Sequence, residues 1–172
     1  MTDLFNQTIA VLGGTGAEGS GLAMRWAQAG LKVIIGSRQA EKGAAAAAAF
    51  NARIGVVAHP LAGADNHSAA QAASIAVLTV PYAAHLATLG DVKDALQGKI
   101  LLDVTVPLVP PKVSTVQLPA AGSACQEAQA FLGDGVQVDP MTTWWRGFTS
   151  EKLVSAPLPK KTGATFSCHA LV

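Results

Sequence analysis

Charge is scarce in this sequence: Asp, Glu, Lys and Arg make up 13% of its 172 residues and sum to a formal +1. A balance that close to neutral gives no electrostatic reason to expect nucleic acid or an anionic membrane as a partner. Long apolar runs are missing too. No stretch approaches the ~18 residues that a bilayer crossing requires, and the N-terminal "MTDLFNQ" has neither the basic region nor the apolar run of a secretory signal. The expectation is a soluble, cytoplasmic protein. Cysteine is limited to Cys125 and Cys168, far apart and without a CxxC spacing, which excludes a disulfide framework or a zinc site read from cysteine. His59, His67 and His169 have no ligand spacing, and there is no HExxH-type array. Ser20 lies among glycines but falls within an expected helix and not at a nucleophile elbow, so a hydrolase reading is poor.

What the chain does have is hydrophobicity, at half of all residues, and a repeating order. The apolar runs "TIAVL", "KVIIG", "IGVVA", "SIAVLTV" and "KILLDVTV" alternate with Ala-rich segments suited to helices. Nearly continuous apolar strands point to a parallel sheet covered on both faces, and the length suits one domain with an appendage. Gly30 is the expected end of the first helix, and Asn66 with Ser68 the expected start of a later short one. Ala44–Ala49 reads as helix whose small-residue face packs closely on the sheet. Past Gly133, only Val136–Val138 reads as strand. Pro140, Pro157, Pro159 and the pair Trp144 and Trp145 then follow without sustained period. The expected division is a nucleotide-binding domain over 1–138 and an irregular tail over 139–172.

Gly14, Gly16 and Gly19 stand in GxGxxG spacing, directly after "TIAVL" and directly before a helical segment. Strand, glycine turn and helix in that order form the dinucleotide fingerprint of a Rossmann-like, doubly wound α/β fold with a mostly parallel sheet and helices on both faces. Gly14 serves the turn, Gly16 admits a pyrophosphate, and Gly19 lets helix and strand pack. Thr15 is a candidate hydroxyl donor to the phosphates, beside the helix N-terminus. At the end of the second strand, "VIIGSRQAEKG" offers Ser37, Arg38 and Lys42 in place of the carboxylate that bonds a free ribose in NAD sites. A guanidinium pairs with a 2′-phosphate, and the missing acid removes a repulsion, so NADP(H) is preferred over NAD(H).

The strand ends "LTVPY" and "LLDVTVPL" face the same crevice, which places Thr79, Pro81, Tyr82, Thr105 and Pro107 near a nicotinamide, with Val80 a further cofactor-binding candidate beside Pro81. Asp103, inside an apolar strand, reads as a hydrogen-bonded structural carboxylate more than as a catalytic acid. His85 either points into the site or caps a helix.

With "LGGTGAEGSGLAMRWAQAG", "VIIGSR", "AVLTVPYAAH", "LLDVTVPLVPPKV" and "GSACQEAQAFLG" laid out, the chain resembles the NADPH-dependent reductases of coenzyme F420, an 8-hydroxy-5-deazaflavin, over most of residues 8–138. The resemblance implies hydride transfer between NADPH and F420, with no catalytic acid or base needed. It assigns the pyrophosphate to the glycine turn, the 2′-phosphate to Ser37 and Arg38, and the nicotinamide to Pro81 and the Val106–Pro107 region. It also implies a homodimer, weakened here because the chain departs from the family after "GVQV" into "DPMTTWWRGFTSEKL" and ends early. Two other readings stay open: an NADP-binding module without turnover, and an NADPH-dependent reductase of another small acceptor.

Overall fold

The computed structural model describes residues 6–111 and 115–141. Six strands make one parallel sheet: β1 (Thr8–Leu12), β2 (Lys32–Ser37), β3 (Ala62–Asp65), β4 (Ile75–Leu78), β5 (Ile100–Asp103) and β6 (Gln137–Pro140), in the order β3-β2-β1-β4-β5-β6. Strand order reverses between β1 and β4, which is where a doubly wound sheet opens its ligand crevice. Five helices connect the strands: α1 (Ala17–Gln28), α2 (Ala40–Ile54), α3 (Asn66–Ala72), α4 (His85–Val92) and α5 (Ala124–Leu132).

The two faces follow from side-chain alternation along the strands. Ala10, Leu12, Ala76, Leu78 and Leu101 join Ala69, Leu89, Val92, Ala128 and Leu132 in a core under α3, α4 and α5. Ile9, Val11, Val33, Ile35, Ile75 and Val77 join Ala23, Trp26, Ala27 and Ala47 in a second core under α1 and α2. Burial on both faces is why these strands lack a polar side.

One expected strand is absent. "IGVVA" is not in the sheet: Ile54 ends α2, Gly55 caps it at φ 75°, and Val56 is exposed. The third strand is "AGAD" instead. It consists of small residues because α2 comes to backbone contact there. A Cβ on Gly43 would meet the Ala64 carbonyl oxygen, and one on Gly63 would meet the Gly43 carbonyl. The alanine run of α2 thus serves close packing, with Ala47 in the core. α3 begins at Asn66 as expected, with Ser68 in its capping contacts. Asp65 is the N-cap, its Oδ1 accepting from the Ser68 amide at 2.8 Å and its Oδ2 from the Ser68 hydroxyl at 2.7 Å. Gly30 does follow α1 in the left-handed region, at φ 87°. Trp144, Trp145, Cys168 and His169 lie outside the described residues.

Candidate dinucleotide site

β1 ends at Leu12 and the chain must turn at once into α1. The positive φ needed for that turn falls on Gly13, at 72°, one residue ahead of the GxGxxG spacing. The Gly13 amide donates to Asn66 Oδ1 at 3.1 Å. The Gly14 amide points back under the turn, donating to the Val11 and Gly36 carbonyls at 3.1 and 3.0 Å. Gly19 is where helix meets strand: a Cβ there would lie 2.5 Å from Thr79 Oγ1 and 2.7 Å from Gly14 Cα. Thr79 is held in turn by its hydroxyl, which donates to the Leu12 carbonyl at 2.9 Å. Gly16 is the N-cap of α1 with no side-chain cap, and Thr15, Gly16 and Ala17 are exposed. The first-turn amides of α1, with the positive end of the helix dipole, are therefore open to an anion.

β2 ends beside this turn. Ser37 is buried, whereas Arg38 and Lys42 are exposed and, among the described residues, have no ion-pair partner. Asp65 is the carboxylate paired in register with Ser37. It is committed to the α3 cap, and the Ser68 amide, its largest influence, holds it below the usual carboxylate range. Asn66 was not legible in the sequence as part of this region. It is buried, and besides bonding Gly13 it packs so tightly on Gly36 that a Cβ there would lie 2.7 Å from its Oδ1. One side chain thus braces the ends of both β1 and β2.

On the other side of the crevice, Val80 is half-buried against Gly13, Pro81 is exposed, and Tyr82 opens a short 3₁₀ turn, Tyr82–Ala84. Beyond β5, Val106 is half exposed and Thr105 half-buried. Pro107 is buried, and its carbonyl accepts from the Gln117 amide at 3.0 Å, so it anchors the loop and Val106 offers the open surface. The crevice therefore gathers Gly14, Thr15, Gly16, Gly19, Ser37, Arg38, Val80, Pro81, Tyr82 and Val106 at the carboxyl ends of β2, β1, β4 and β5. Lys42 lies in the first turn and a half of α2, beyond the end of β2.

His85 neither points into the crevice nor caps a helix by its side chain. It is fully buried as the first residue of α4, with its Nε2 2.7 Å from Asp103 Oδ2. Asp103 is the hydrogen-bonded structural carboxylate that its apolar strand implies; its Oδ1 also accepts from the Thr105 amide at 2.9 Å. Tyr82 stacks on the His85 ring with centroids 5.9 Å apart. Burial, and then the hydrogen bond and charge of Glu127, push the Tyr82 phenol above its usual range. Among the described residues, no group of His, Cys, Asp and Glu could hold a metal ion, and no helix is long and apolar enough to cross a membrane.

Residues 8–107 match the family described as "NADP oxidoreductase coenzyme F420-dependent". The chain is 48% identical over 134 residues to an F420-dependent NADP reductase of Methanothermobacter marburgensis, an alignment covering 73% of this chain and 58% of that one. It is 37% identical over 130 residues to the F420-dependent NADP reductase of Methanocaldococcus jannaschii, covering 72% and 57% respectively. Among solved structures, a candidate F420-dependent NADP-reductase from Arthrobacter sp. FB24 superposes with a TM-score of 0.64 at 28% identity, covering 78% of this chain and 61% of that one. The chain thus spans little more than half the length of these curated relatives. Fold, crevice and sequence agree, and the chain belongs to the family of coenzyme F420-dependent NADP oxidoreductases.

Proposed function

We propose that the crevice binds NADP(H) and that the protein transfers hydride between NADPH and the deazaflavin coenzyme F420. The observation that carries the dinucleotide half is the pairing of an uncapped α1 N-terminus with an exposed, unpartnered Arg38 at the end of β2. Gly14, Thr15, Gly16 and Gly19 form the pyrophosphate turn. Ser37 and Arg38, with Lys42 beyond them, take the 2′-phosphate through charge-assisted hydrogen bonds. Val80, Pro81, Tyr82, Val106 and Pro107 shape the nicotinamide end. The deazaflavin half rests on family membership and on the names of the relatives.

The two bound rings carry the hydride chemistry themselves. What this chain contributes is alignment and exclusion of water. Proline at 81 and the anchored Pro107 stiffen the two rims, and apolar Val80 and Val106 present surfaces on which no proton need move. The same reading makes residues 1–138, with β6 carrying the sheet on to Pro140, the NADP-binding unit and the remainder a tail, for a homodimer in the cytoplasm.

The test is NADPH consumption by the purified protein with oxidised F420, followed through loss of the deazaflavin's visible absorbance against an enzyme-free control. Turnover is expected. A folded, NADPH-saturated protein without turnover supports the second reading, an NADP-binding module. The chain matches 58% or less of the length of its curated relatives.

A further inference from the structure

The reading above leaves one buried polar cluster without a task. His85 is fully buried, and its ring is approached at both nitrogens: Nε2–H donates to Asp103 Oδ2 at 2.7 Å, and Nδ1 faces Glu127 Oε2 at 3.6 Å. Asp103 is 2% exposed, and Glu127 stands in the first turn of α5 with its side chain 23% exposed. The Tyr82 ring stacks on the imidazole, and the Cys125 thiol reaches the Asp103 carbonyl at 3.9 Å. Three segments distant in sequence therefore meet at one imidazole: the turn after β4, the end of β5, and the start of α5.

A purely structural filler for this place would be apolar, because burying charged and polar groups is favourable only when they are fully partnered. These are not. His85 Nδ1, Thr105 Oγ1 and Glu127 Oε2 are buried atoms with no hydrogen-bond partner among the described residues. The arrangement is directional instead. Asp103 holds His85 with one oxygen and the Thr105 amide with the other, so the position of α4 is transmitted to the residue that leads into Val106. Tyr82, at the opposite rim, is held by the same ring.

We infer that His85, through Asp103, is a positioning residue that sets the two nicotinamide-side rims, Val80–Tyr82 and Thr105–Pro107, at a fixed separation for the nicotinamide half of the bound dinucleotide. The inference rests on the NADP(H) reading. It concerns that half only: the phosphate and adenine side is built on β1, β2 and α1, which the cluster does not touch.

This asymmetry supplies the test. Affinities of the whole chain for NADPH and for 2′,5′-ADP, which carries the 2′-phosphate but no nicotinamide, are measured by calorimetry, with nicotinamide fluorescence as a local signature. For His85→Leu, NADPH binding weakens about tenfold and the fluorescence change on binding is lost, while 2′,5′-ADP affinity stays within about twofold. His85→Gln, whose amide can still donate to Asp103, recovers most of the NADPH affinity. Equal loss for both ligands, or no loss for either, overturns the inference. Should His85→Leu not fold, Glu127→Gln changes a partly exposed group: a loss of about threefold for NADPH alone is expected, and unchanged NADPH affinity overturns the inference. A wild-type protein that binds neither ligand refutes the NADP(H) reading itself, and the inference with it, before any variant is made.

Discussion

In the proposed function, Arg38 is the residue on which cofactor choice turns. It is exposed, has no ion-pair partner among the described residues, and follows a strand end whose neighbouring acid, Asp65, is already engaged with Ser68. Arg38→Ala is expected to weaken NADPH about tenfold, or ~1.4 kcal/mol, and to change NADH by less than about twofold. Parallel titrations check it, and equal losses for both would remove Arg38 from the phosphate site. Gly19 acts through packing. A methyl group there has backbone and Thr79 Oγ1 within 2.7 Å, so Gly19→Ala should cost ~1–3 kcal/mol in chemical denaturation. Much of this scale is readable without a structure, because a glycine spacing between strand and helix has few physical uses. Gly13 is less readable: in "LGGTG" the spacing points to the second glycine, whereas the positive φ sits on the first. The contact of Asn66 with Gly13 and the pairing of His85 with Asp103 are not readable. The partners are 53 and 18 residues apart, and no local periodicity encodes such contacts.

Among the elements, β-branched runs buried on both sides gave away β1, β2, β4 and β5, since few other structures tolerate them. β3 hid for the opposite reason. "AGAD" has no strand propensity of its own and owes its place to the Gly43 and Gly63 backbones coming together, whereas "IGVVA" has propensity but begins at a helix end and a left-handed glycine. Tertiary packing overrode the local signal in both. α3 depends on its cap. Asp65→Ala should cost ~1 kcal/mol and lower Tm by a few degrees at neutral pH. Its folded carboxyl titrates below the usual carboxylate range, so the stabilisation is present above the unfolded value and lost as pH falls through the lower folded one. Wild-type and variant Tm values should therefore converge in strong acid; a constant gap would mean that the cap does not act through the ionised carboxylate.

At the scale of the whole molecule, two cores on either side of one parallel sheet leave a crevice at the β1–β4 reversal that packing alone does not explain. Its chemistry is divided: an uncapped helix N-terminus and a guanidinium without an ion-pair partner among the described residues on the β1–β2 side, stiff apolar rims on the β4–β5 side. The division matches a reaction in which the protein aligns two rings and moves no proton of its own. The fold and the glycine turn were legible from the sequence because each is written in contiguous motifs. The identity of the hydride acceptor was not, since it is carried by likeness to relatives of which this chain spans little more than half the length. The most direct test of the site is a calorimetric titration of the full chain with NADP⁺ and, separately, NAD⁺. One-to-one binding of NADP⁺ with NAD⁺ at least about tenfold weaker is the expected result; equal affinities, or no binding of either, would contradict the assignment of the crevice.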